Sequence, residues 1–261
     1  MSEKIRLPAV AGVFYPSDPD KLLLAVRGFL DRTEGGIVSP KAIIVPHAGY
    51  TYSGVVAATA YAHLQPREIT RVVLIGPAHR VMLTGLAVPE STTWETPLGD
   101  VPIDLEALEK VSVFPQVSYS ERAHLEEHSL EVQLPFLQEV LGDFQLIPLL
   151  VGDVSSEEVA DVLDALWGGP ETLIVVSSDL SHYKPYDEAV KIDQIVALAI
   201  ANLDVRGLDD DNACGLVPIA GLVHLAQQRG LRAELLDLHN SGDTAGSKDQ
   251  VVGYGAFAFY E

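Results

Sequence analysis

Three apolar, β-branched runs each lead into a histidine: Ile43-Ile44-Val45-Pro46-His47, Val72-Val73-Leu74-Ile75-Gly76-Pro77-Ala78-His79 and Ile174-Val175-Val176-Ser177-Ser178-Asp179-Leu180-Ser181-His182. Imidazole is the commonest metal ligand among side chains and moves protons near neutral pH. Histidines repeated in one context therefore point to a metal site or to acid–base chemistry. Asp179 and His182 stand three residues apart. A helical turn there would put both on one face, where the carboxylate orients the imidazole or ligates directly. The plainer alternative is that Asp179 or Ser178 caps the following turn.

The single cysteine lies in Asn212-Ala213-Cys214-Gly215-Leu216-Val217-Pro218, ahead of a predicted helix. The helix dipole there favours the thiolate, the form that ligates metals and attacks electrophiles. A small buried apolar residue is the alternative reading. His47 is followed by Gly49, Tyr50, Tyr52, Ser53 and Gly54, and the tyrosines offer stacking faces and hydroxyls to a substrate pocket. In the segment from Ala123 to Gln133, His128 and Glu131 are pocket candidates, whereas Glu126 and Glu127 read as a solvated face. That segment does not carry the HExxH zinc signature. His63, His124 and His224 have no motif context, and His239 reads as part of a loop after the penultimate strand.

The elements that must position these groups alternate. Apolar runs of this kind read as strands buried on both faces of a parallel sheet, and ligands bind beyond the carboxyl ends of such strands. Strands are predicted over 42–45, 72–75, 145–151, 173–176, 233–238 and 251–259, with Pro148 placing one of them near an edge or a strand end. Helices are predicted over 18–30, 55–64, 105–110, 130–141, 155–167, 187–203 and 219–229. Ser155-Ser156-Glu157-Glu158 reads as a capping box. Residues 81–102 read as a hairpin or lid. The alternation predicts an α/β fold, a mostly parallel central sheet with helices on both faces, in one domain spanning residues 1–261.

The 261 residues carry 37 acids against 17 lysines and arginines, a formal charge of −20. Nucleic acid and anionic membranes are poor partners for such a chain. One cysteine excludes an intrachain disulfide and fits the cytoplasm, and Met1 to Arg6 lacks the apolar core of a secretory signal.

Val45-Pro46-His47-Ala48-Gly49-Tyr50-Thr51-Tyr52-Ser53-Gly54, Gly76-Pro77-Ala78-His79, Glu127-His128-Ser129-Leu130-Glu131-Val132-Gln133-Leu134-Pro135-Phe136, Ser178-Asp179-Leu180-Ser181-His182 and Cys214-Gly215 together closely resemble the Memo family, called AmmeMemoRadiSam system protein B in prokaryotes. The resemblance runs from Val13-Phe14-Tyr15-Pro16 to Gly253-Tyr254-Gly255. It implies a fold similar to class III, LigB-type, non-haem iron extradiol dioxygenases. It also implies a pocket of His47, His79, Asp179, His182 and Cys214, with metal on His47, His79 and Cys214. Fe(II) is the metal expected, with Cu or Zn as alternatives. Association with AMMECR-type and radical SAM proteins is implied by the family too. A cysteine where those dioxygenases use a carboxylate favours softer metals and argues against ring cleavage itself.

The function expected is thus a metal-dependent, dioxygenase-like oxidoreductase acting on a small molecule or peptide. His182 would serve as acid, base or substrate partner, oriented by Asp179, and Tyr50, Tyr52, His128 and Glu131 would line the substrate pocket. A non-catalytic peptide- or metal-binding module and a metal-dependent hydrolase are the alternatives.

Overall fold

The computed structural model describes residues 4–36, 38–65, 69–208 and 213–261. Met1 to Glu3 and Asn212, which entered the sequence reading, lie outside the described residues. Four runs without hydrophobic alternation, Ala42–Val45, Arg71–Pro77, Gln145–Val151 and Thr172–Ser177, are strands. Successive strand residues point to opposite faces. Since Ile43, Ile44, Val73, Leu74, Leu146, Ile147, Ile174 and Val175 are all fully buried, both faces of the sheet are covered.

These four strands lie side by side and parallel, in the order Ala42–Val45, Thr172–Ser177, Arg71–Pro77, Gln145–Val151. Antiparallel strands extend the sheet on both sides. Val251–Tyr260 pairs with Ala42–Val45 and is flanked by Arg232–Asn240 and His182–Lys184, while Leu86–Val88 pairs with Gln145–Val151 and leads to Val117–Tyr119. The result is a mixed nine-stranded sheet with a parallel centre. Pro148 stands in the middle of its strand, opposite Leu74, because Leu86–Val88 reaches only Leu150 and Val151 on the other side. The 81–102 segment is the Leu86–Val88 strand followed by the hairpin Thr93–Thr96/Gly99–Pro102, which forms a separate small sheet with Ile5–Arg6.

The helices fall into groups. Pro19–Leu30, Tyr50–Tyr61 and Leu134–Leu141 pack together, with Tyr50–Tyr61 against the Ala42–Val45 and Val251–Tyr260 strands. Ser156–Ala165, started by the expected capping box, packs on Leu216–Arg229, which covers Arg71–Pro77 and Thr172–Ser177. Tyr186–Ala201 lies along the Arg232–Asn240 and Val251–Tyr260 hairpin. One boundary changes the local reading: the helix after His47 begins at Tyr50 with Gly49 as its cap, ahead of the predicted start at residue 55. No described helix is long and apolar enough to cross a membrane.

Candidate metal centre

Three neighbouring parallel strands end at Val45, Ser177 and Pro77, and two residues beyond each stands His47, Asp179 or His79. The parallel register delivers all three to one edge of the sheet. His128 arrives differently, from the connection between the short helix Glu121–Leu125 and the 3₁₀ turn Glu131–Gln133. One ring nitrogen each of His47, His79 and His128 lies within 4.8 Å of the other two, the spacing of donors around one ion. The rings meet with centroids 5.2 Å (His47–His79), 5.5 Å (His47–His128) and 4.8 Å (His79–His128) apart.

Glu127 holds this arrangement. Sequence alone assigns it to a solvated face; instead it is 2% exposed. Its Oε2 accepts the His79 backbone N–H at 2.5 Å, and its Oε1 accepts His79 Nδ1–H at 2.9 Å. Oε1 also takes the backbone N–H groups of His128 and Ser129, and His128 Nδ1 lies 3.1 Å away. Burial works against its charge, but the contacts from His128 and His79 outweigh that and hold the carboxyl far below the usual carboxylate range. With Nδ1–H of His79 given to a carboxylate, its Nε2 is left as a lone pair, the usual support for a metal-bound histidine. The adjacency of Glu127 to His128 was the sequence signal available for it.

Burial, and then the neighbouring His79 and His128 rings, push the His47 pKa down and keep it a neutral imidazole, the form that ligates. Asp179, also buried, accepts the His47 backbone N–H at 2.7 Å. It therefore positions the chain that carries His47. The expectation that Asp179 orients His182 is replaced: His182 opens a short strand rather than a helical turn, and its Nδ1 donates to the Leu180 carbonyl at 2.7 Å. Cys214 Sγ sits 3.3 Å from His47 Nε2 but outside the three-histidine set. Burial, then the nearby Asp179, pushes its thiol up to about 12, so the dipole of the following helix does not make it a thiolate here.

The histidines open into a cavity of about 590 Å³ walled by Phe14, Tyr52, Tyr183 and Tyr254, with His182, Asp179 and Arg80 on its lining. Tyr52 and His128 are among its lining residues. Tyr50 is not: its hydroxyl donates to the Val132 carbonyl and its ring packs on Phe29 and Phe136, because the first helical turn points it into the core. Glu131 does not line it either. It is fully buried, paired with Arg6 at 2.8 Å, and also accepts from Ala9 N, Val10 N and the Tyr15 hydroxyl. It ties down the segment that supplies Phe14. His239 lies within the Arg232–Asn240 strand beside Asp237, away from this cavity.

Fold and site together define an α/β protein with a three-histidine pocket at the carboxyl edge of a parallel sheet. Comparison with known proteins gives the family. The family model described as Memo-like protein matches residues 6–258. A MEMO1 family protein of Aquifex aeolicus is 40% identical over 265 residues, covering 96% of this chain and 97% of that protein. Another, from Ignicoccus hospitalis, is 40% identical over 284 residues and covers 98% of each chain. A third, from Sulfolobus acidocaldarius, is 37% identical over 276 residues, covering 96% and 97%. Among solved structures, an uncharacterised Escherichia coli K12 protein shares the fold, with a TM-score of 0.53 at 15% identity over 83% of this chain and 99% of that one. The chain belongs to the Memo family.

Proposed function

We propose that the pocket binds a transition metal and carries out metal-dependent oxidation of a small molecule, with Fe(II) as the working metal and Cu or Zn as competitors. The observation that carries this reading is the mutual approach of His47, His79 and His128 within 4.8 Å, at the bottom of a cavity that leaves room beside them. Neutral imidazoles suit Fe, Cu and Zn alike. His47 and His79 are common to the geometric set and to the set expected from the resemblance. Cys214, 3.3 Å from His47 Nε2, is placed to join them once it loses its proton. A redox-active ion held there supplies electron transfer that no side chain in the pocket supplies by itself.

The chain's own residues bind and orient. Because the Leu180 carbonyl can only accept, His182 carries its proton on Nδ1 and offers Nε2 as an acceptor for a substrate proton. Phe14, Tyr52 and Tyr183 give a ligand flat apolar faces, and Arg80 offers a cation at the rim.

Elemental analysis of anaerobically purified protein tests the reading. We expect about one equivalent of metal per chain, lost in the doubly substituted His47→Ala/His79→Ala protein; unchanged metal content there would sink it. Oxygen uptake with catechol-like substrates then separates oxidation from simple binding, and metal-dependent ester cleavage without oxygen uptake would favour hydrolysis.

A further inference from the structure

We infer that Ser177 is a positioning residue that fixes the tautomer of His47, and that two backbone carbonyls set the direction of every hydrogen bond leading to it. The group is buried throughout: Ser177 and Ser129 are 0% exposed, Gln133 1% and His47 2%. Each polar atom in it therefore has to find its partner within the protein.

The Gln133 side-chain nitrogen lies 2.9 Å from the Pro46 carbonyl oxygen and 2.8 Å from Ser177 Oγ. A carbonyl only accepts, so the atom facing Pro46 is the amide NH₂ and not the amide oxygen. The amide oxygen in turn accepts from the Tyr61 hydroxyl at 2.9 Å, which agrees with that orientation. The second amide proton goes to Ser177 Oγ. Ser177 has one proton of its own, and the Ser129 carbonyl, 2.5 Å away, takes it. What remains on Ser177 Oγ is a lone pair, and His47 Nδ1 lies 3.0 Å from it. His47 must then donate from Nδ1, which leaves Nε2 as the lone pair. Free imidazole side chains favour the opposite tautomer only slightly, so one such bond decides the matter.

The consequence extends to the other two histidines. Glu127 holds His79 through its backbone and its Nδ1, and holds His128 through its backbone. Ser129 supplies the carbonyl that orients Ser177, and Gln133 supplies the amide. Residues 127 to 133 thus organise all three rings, although only His128 among them reaches the site.

The inference rests on the metal-site reading for its consequence but not for its geometry, and the two are tested separately. In metal-free protein labelled with ¹⁵N, the long-range ring spectrum of His47 should show the Nδ1–H form; a dominant Nε2–H form in the unaltered protein would overturn the proposal. Ser177→Ala should let the Nε2–H form appear and weaken Zn(II) binding, titrated as the metal alone, by about 10- to 100-fold. Ser177→Ala with the wild-type tautomer and unchanged Zn(II) affinity would also overturn it. If the tautomer behaves as expected while His47→Ala binds Zn(II) normally, the relay stands and the metal-site reading fails. Circular dichroism and urea unfolding of Ser177→Ala establish that the altered chain is folded when the spectra are taken.

Discussion

At the scale of single residues, the site combines groups that sequence pattern reveals with groups that it hides. His47 and His79 were legible because each follows a buried strand by two residues, and strand ends are where a parallel sheet binds ligands. Glu127 was hidden because its burial comes from His79, 48 positions away. Locally, only its adjacency to His128 distinguishes it from its exposed neighbour Glu126. Its charge state makes a prediction with a definite sign. The folded-state pKa is depressed, so Glu127 contributes stability above its unfolded value of 4.5, and that contribution is lost as pH falls below it toward the folded value. Urea midpoints measured between pH 3 and 7 should therefore drop on the acid side in the wild type and change less in Glu127→Gln. The same substitution should weaken Zn(II) binding by about 10- to 100-fold, because the His79 ring loses its carboxylate. An acid limb identical in both proteins would count against this role for Glu127.

At the scale of elements, the fold was largely readable and its exceptions have physical causes. Continuous apolar runs marked the parallel strands, and Ser155 with Glu158 marked a helix start. The strand signal does not say which neighbours are antiparallel, so the mixed flanks of the sheet were not foreseen. Tyr50 and Tyr52 looked equivalent beside a glycine-rich stretch. Once the helix begins at Tyr50, two residues of spacing turn them to different sides, and only Tyr52 reaches the cavity. Glu131 shows the reverse case: a candidate pocket acid spent on an internal ion pair with Arg6, 125 residues away. Removing one member of a fully buried pair leaves an uncompensated charge and costs about 3–5 kcal/mol. Arg6→Met should lose that much by urea unfolding. Glu131→Gln, which keeps an acceptor for Ala9, Val10 or Tyr15, should lose less than Glu131→Leu. A loss below about 1 kcal/mol in Arg6→Met would show that the pair is not holding the N-terminal segment.

At the scale of the whole molecule, strands and loops far apart in sequence meet at one edge, so a ligand there stabilises everything that must fold to build it. Zn(II) at a free concentration of 100 times its dissociation constant should add about 2.7 kcal/mol to stability. For a chain of this size that is a rise in Tm of about 5–10 °C, read by scanning calorimetry, and it should be absent in His47→Ala. The strand Val251–Tyr260 gives this assembly a schedule. It lies inside the sheet between Ala42–Val45 and Arg232–Asn240, and it brings Val252 and Tyr254 to the pocket wall, yet it is the latest of the nine strands to be translated. A nascent chain released as far as the third histidine motif has the parallel centre in hand but an open, unpaired strand edge at Ala42–Val45, the kind of edge that recruits other chains. Until residues 251–260 clear the ribosome that edge stays unpaired, so the exposure to wrong pairing during synthesis is concentrated in one late interval.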